Sequence, residues 1–267
     1  MQKNKIEVIQ VIRGIAAISV VFYHCKVSLT TSDSFKESLD WLFNSGAAGV
    51  DVFFVLSGFV MVYSTENNTD EKKIRSINFL LRRVIRIWPI YLFLSLLYLM
   101  IQHYLGEVKN EINLKLIVKS VLFLPTASDD PPHYGYPLLS VGWSLNYEMY
   151  FYCIFALSLL WKKYRYWFFF SFFIASLFLF PWIIKNTYSF NPNAGVYFEN
   201  TYLNFMTNPI IWEFAVGALI GIIYINKYLH QTIQRYTPNW IPYAVLVFVV
   251  WQFVSGFRGG HGITNWG

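Results

Sequence analysis

Apolar runs recur at about residues 7–25, 47–63, 88–105, 144–161, 166–184, 206–225 and 240–255. Each approaches or exceeds the ~17 residues that a helix needs to cross a bilayer. In lipid a helix satisfies its own backbone, which an open strand cannot do. The runs therefore predict an all-α polytopic membrane protein, a bundle of about seven transmembrane helices forming one domain over residues 1–267. A shorter apolar piece at 114–124 is too brief to cross and is expected at the interface. Only 13% of the residues are charged, against about 25% in soluble domains. That composition excludes a soluble enzyme, and a nucleic-acid partner is not expected.

The first run, VIQVIRGIAAISVVFYHC at 8–25, carries Arg13 and His24. An ionisable residue in a span costs about 2.5–3.5 kcal/mol near the centre and faces the bundle interior. Eleven residues at roughly 100° each bring the two side chains within about 20° of one face, roughly 16 Å apart along the axis. Lys3 and Lys5 resemble the start of a signal peptide. Arg13 beside the apolar core, and no A-x-A-like site, predict an uncleaved first span instead. Cys25 and Cys153 form no CxxC pair, so no disulfide, metal or redox role is expected.

Basic residues in the loops set the orientation. Segments 1–6, 64–87, 162–165 and 226–239 hold thirteen Lys and Arg, whereas the alternate loops hold seven. The richer side is cytoplasmic, so the N-terminus is expected inside. Arg13 then lies toward the cytoplasm and His24 near the outer end. Asp51 opens the second span at a depth similar to His24, and Glu148 lies about a turn below the outer surface in the fourth. An imidazole and two carboxyls thus converge on one level, the equipment of acid–base chemistry. Asp51 and Glu148 also suit a purely structural role as hydrogen-bond partners in a packed bundle.

On the inner side, Arg82, Arg83 and Arg86 precede Pro89, which suits the first turn of the next span. Their guanidiniums suit phosphate oxygens, or equally a positive anchor at the membrane surface. Gly46, Gly49 and Gly58 are read as helix-packing contacts. Glu213 is placed mid-membrane without chemistry. The outer loop holds Asp129-Asp130-Pro131-Pro132-His133-Tyr134-Gly135-Tyr136-Pro137, which no regular helix accommodates.

Arg13-x10-His24, the run GVDVFFVLSGF at 49–59, Arg82-Arg83-x2-Arg86-x2-Pro89-x-Tyr91, and Trp143-Ser144-Leu145-x2-Glu148 occur in that order. In these the chain resembles the membrane acyltransferase 3 family, bacterial integral-membrane enzymes of carbohydrate O-acylation, from about residue 8 to 220. The resemblance implies a roughly ten-helix fold, so carboxy-terminal spans are expected to be missing here. It implies acetyl-coenzyme A, or another acyl-coenzyme A, as a cytoplasmic donor substrate, with no permanently bound cofactor and no metal. The acceptor it implies is an extracytoplasmic carbohydrate hydroxyl, at the bacterial inner membrane. Some members carry an SGNH esterase-like domain and this chain does not, which leaves a role for a separate periplasmic or extracellular transferase partner.

Residues and resemblance together give one expected site. Arg82, Arg83 and Arg86 bind the donor nucleotide, and Arg13 binds a phosphate or the pantetheine amides. His24 acts as base or acyl carrier, with Asp51 or Glu148 fixing its tautomer. Trp143, Tyr134 and Tyr136 offer ring faces to the acceptor sugar. The rival reading is a transporter or flippase of lipid-linked sugars, whose pathway Arg13, Asp51 and Glu148 would line.

Overall fold

A computed structural model describes residues 7–27, 42–66, 72–105, 113–161, 163–195 and 197–254. The described residues form helices and turns with no strand among them, so the chain is all-α as the runs predict. Among the described residues, five helical stretches are long and apolar enough to cross a membrane: Glu7–Cys25, Asn44–Thr65, Lys73–Tyr104, Arg165–Lys185 and Thr201–Ile225. The runs at 144–161 and 240–255 form shorter helices, α5 (Trp143–Ser158) and α10 (Ile241–Val254), of 16 and 14 residues. Two compact units emerge, Met1–Glu66 with Trp212–Gly267, and Asn67–Ile211.

In the first unit, α1 (Glu7–Val27) packs against a 3-10 turn at Asn44–Ala48 and the start of α2 (Gly49–Thr65). The contact depends on missing side chains. A Cβ at Gly46 would stand 2.5 Å from the Ser19 carbonyl oxygen, and one at Gly49 would stand 2.6 Å from that of Ala16. As one chain advances three residues the other retreats three, so the pair is antiparallel. Away from that contact α1 exposes Val8, Val11, Ile15, Ile18 and Val21, an apolar surface that only lipid or protein can cover without cost.

α2 packs equally closely on α8 (Trp212–Ile225), and here the helices run parallel. Gly58 lies on the Phe214 carbonyl, Gly217 on that of Val55, and Gly221 beside Phe59 and Val62. Phe54 stacks on Phe214 with ring centroids 4.5 Å apart, and Met61 and Val62 are fully buried. Small residues bring backbones together where lipid supplies no hydrophobic drive between helices. The packing role read for Gly46, Gly49 and Gly58 is what these contacts describe. α9 (Lys227–Tyr236) follows α8, with the Asn226 side chain accepting from the amides of Tyr228 and Leu229 as its N-cap.

The second unit is built on α3 (Lys72–Tyr104), 33 residues with Pro89 inside it. The expected new span at Pro89 is corrected: the helix passes through. Proline removes the amide that would bond the carbonyl four residues back and costs about 3 kcal/mol inside a helix. That cost is offset by contacts on both sides of it. Before it, the Ser76 hydroxyl donates to the Ala156 carbonyl (2.6 Å) and Phe79 meets Phe155. After it, Tyr91 is buried against Phe123. These contacts make α3 and α5 antiparallel.

A core of Phe151, Phe155, Phe169 and Phe173, none of them exposed, joins α5 to α6 (Arg165–Lys185). The expected interfacial piece is α4 (Leu114–Val121), capped by Asn113, with Leu114, Ile117 and Val118 exposed. It is tied to α3 by the Trp88 indole donating to the Val121 carbonyl. α7 (Thr201–Met206) is a short helix capped by Asn200.

Candidate active site

α1 carries Arg13 and His24 on one uninterrupted helix, so their roughly 16 Å axial separation holds. The face packed on the glycines is that of Ala16, Ser19, Val20 and Tyr23. Counting 100° per residue sets both Arg13 and His24 about 70–90° round from that stripe, on one shared flank. Arg13 is half-buried and His24 exposed. His24 Nδ1 lies 2.8 Å from the Val20 carbonyl oxygen. A carbonyl only accepts, so Nδ1 carries the hydrogen, and in the neutral ring Nε2 keeps the lone pair. The tautomer expected from Asp51 or Glu148 is therefore held by the helix's own backbone.

Asp51 departs from its expected depth. With Gly46 opposite Ser19 and Gly49 opposite Ala16, the antiparallel register carries Asp51 past Ala16 and nearer the level of Arg13 than of His24. The apolar run alone hides this, because it does not reveal where two helices touch. Asp51 lies in the first turn of α2 and Glu213 in the first turn of the parallel α8. Each occupies the end where the helix dipole favours negative charge. Glu213 is 2% exposed.

In the second unit, Glu148 and Arg83 meet at one ring. The Tyr152 hydroxyl donates to Glu148 Oε1, and the Arg83 guanidinium lies 5.2 Å over the same tyrosine's ring. Arg83 also sits 5.5 Å over Phe79. Glu148 and the arginines were expected at opposite membrane surfaces, and this is corrected. The cause is the continuity of α3, which puts the arginines inside a packed helix rather than in the loop before it. Arg82 and Arg86 are exposed, whereas Arg83 is half-buried. Tyr152 is not among the residues expected from the sequence, although its i,i+4 spacing from Glu148 signals it.

Of the three residues expected to take the acceptor, Tyr134 is an internal anchor. It is 2% exposed, and its hydroxyl accepts from Asn208 Nδ2 at 3.1 Å. Burial pushes this phenol up to about 12. Trp143 is also buried, in edge contact with His133 (4.6 Å) and Tyr147 (6.2 Å). Only Tyr136 presents an open ring, 49% exposed. Asn208 is a second residue absent from those expected. It holds Tyr134 and the Pro192 carbonyl through Nδ2, while its Oδ1 accepts from the Ile210 amide. The Asn-Pro dipeptide was its signal.

Of the residues expected to converge, His24 and Asp51 stand in the first unit and Glu148 in the second. Against known proteins, the family model described as an acyltransferase domain matches residues 6–267. The exopolysaccharide production protein ExoZ of Rhizobium meliloti (strain 1021) is 33% identical over 189 residues, which is 69% of this chain and 53% of that protein. The chain thus spans about half the length of that curated relative. No solved structure matches.

Proposed function

Because this chain belongs to the acyltransferase 3 family, we propose that it moves an acyl group, acetyl in the simplest case, from cytoplasmic acyl-coenzyme A to a hydroxyl of an extracytoplasmic carbohydrate. The observation that carries this reading is the family match along residues 6–267. The similarity to an exopolysaccharide production protein supports a cell-surface polysaccharide as acceptor. The membrane is then the bacterial cytoplasmic membrane, with the N-terminus inside and a separate extracytoplasmic partner available to complete the transfer.

His24 is the base. With Nδ1 committed to the Val20 carbonyl, the Nε2 lone pair takes the proton of the sugar hydroxyl. The oxygen attacks the thioester carbonyl, a carbon–oxygen bond forms and the carbon–sulfur bond breaks. The imidazolium then returns its proton to the coenzyme A thiolate, and the base is regenerated. Asp51, at the level of Arg13 rather than of His24, stands beside the donor arm and not beside the imidazole. Arg13, on the flank of α1 that His24 shares, suits the pantetheine amides or a phosphate of an extended donor. Arg82 and Arg86 suit the nucleotide phosphates, and Glu148 fixes Tyr152 beneath Arg83.

Transfer of radiolabelled acetyl from acetyl-coenzyme A, by protein reconstituted in vesicles, tests this donor assignment. A hydrogen bond to a charged group contributes about 1.5–3 kcal/mol, so losing two is worth about a hundredfold or more in binding. Replacing both Arg82→Gln and Arg86→Gln is expected to raise the donor KM by that factor or more, with the acceptor KM within twofold. An unchanged donor KM rejects the phosphate assignment. Absence of transfer from any acyl-coenzyme A rejects the whole reading.

A further inference from the structure

The segment Asp129–Pro137 is built as a rigid platform, and the acyl-transfer steps above make no use of it. Asp130 (φ 63°), Tyr134 (φ 49°) and Gly135 (φ 80°) adopt left-handed backbone, which is costly for the two residues with side chains. Packing holds them there. The amides of Thr126 and Ala127 both donate to the Tyr134 carbonyl, and the Tyr134 amide donates to that of Asp130. The buried Tyr147 hydroxyl donates to the Pro132 carbonyl at 2.8 Å. Asn208 anchors the Tyr134 hydroxyl from below.

This platform presents His133 with Nδ1 3.3 Å from Asp130 Oδ2, their side chains 23% and 53% exposed. The Tyr136 ring lies 5.2 Å from the imidazole and is half exposed. The Trp143 ring abuts the imidazole edge-on, 4.6 Å away, and restricts its rotation. An aromatic face beside a few fixed polar groups is the makeup of a small-ligand site. One histidine with one aspartate is too few for a metal, and among the described residues no larger such group exists. A carboxylate accepts hydroxyl hydrogens, an imidazole donates or accepts, and the phenol ring takes the apolar C–H face of a pyranose. Asp129 and Asp130, both exposed, repel a ligand bearing its own carboxylate or phosphate.

We propose that His133, Asp130 and Tyr136 form a subsite for an uncharged sugar ring of the acceptor. The proposal rests on the carbohydrate reading above and narrows it to a neutral residue at this position. Binding and catalysis are measured separately, on protein in lipid nanodiscs. The neutral probe is an oligosaccharide released from the surface polysaccharide of the source cells, freed of acyl groups by base and of charged residues by ion exchange. The anionic probe is an oligogalacturonide. Saturation-transfer NMR reads binding, and acetyl transfer to the neutral probe reads KM and kcat.

Wild-type protein is expected to bind the neutral probe and not the anionic one. Asp130→Asn and His133→Gln should each weaken binding and raise the acceptor KM about tenfold, with the loss confined to KM. Tyr136→Ala, at an exposed position that does not threaten folding, should do the same. Wild-type binding of the neutral probe unaltered by all three replacements overturns the subsite. So does no binding of the neutral probe, or equal binding of the anionic one. Binding that depends on His133 and Tyr136 without any acetyl transfer leaves the subsite standing and overturns the acyltransferase reading instead.

Discussion

Gly217→Ala is expected to leave little folded protein in detergent, with the largest loss of stability of any single methyl added to the α2–α8 pair. The new Cβ would press into the backbone oxygen and carbon of Val55, atoms that no rotamer change can move aside. Overpacking costs about 1–3 kcal/mol when side chains can adjust, and a clash with backbone puts this substitution at or beyond the upper end, near 3 kcal/mol. The gain in helix propensity, at most about 1 kcal/mol, does not offset it. Gly14→Ala is the matched control: it lies on α1 with nothing within 4 Å of the added carbon, so only the propensity gain remains. Thermal unfolding followed by fluorescence-detected size exclusion compares the two. A Gly217→Ala protein as stable as Gly14→Ala would mean that α2 and α8 do not touch through these glycines.

His24→Ala is expected to reduce acyl transfer by roughly 10²- to 10⁴-fold, the usual contribution of a general base, while the protein inserts and unfolds like wild type. Folding is spared because the side chain is exposed and its hydrogen bond is to its own helix. His24→Gln discriminates further. Its amide can still donate to the Val20 carbonyl but offers no basic lone pair, so it should be as inactive as the alanine variant. Steady-state transfer and thermal unfolding on the same preparations decide it. A glutamine variant retaining more than a tenth of wild-type kcat would reduce position 24 to a positioning role.

Much of the helical architecture is legible in the chain, because lipid admits few solutions for an apolar run. The extents of α1, α2 and α6 follow from run length alone, and the small residues at 46, 49 and 58 foretell close backbone contacts. Pro89 misleads because its cost depends on what the helix packs against. Ser76, Phe79 and Tyr91 outweigh the one lost hydrogen bond, so Arg82, Arg83 and Arg86 belong to a helix interior. The level of Asp51 is hidden for a related reason: the register of α1 on α2 is set by which carbonyl each glycine meets. Tyr134 and Tyr136 are two residues apart and read alike in sequence. The left-handed turn at Tyr134 and Gly135 buries one ring and exposes the other, and composition does not foretell it.

The most direct measurement is mass analysis of surface carbohydrate from cells carrying the wild-type chain, cells lacking it, and cells carrying His24→Ala. The account predicts a glycan whose acyl mass is present with the wild type and lost in the other two, at equal polymer yield. Glycans of identical acyl mass in all three, or an acyl mass that survives in the His24→Ala cells, would contradict it.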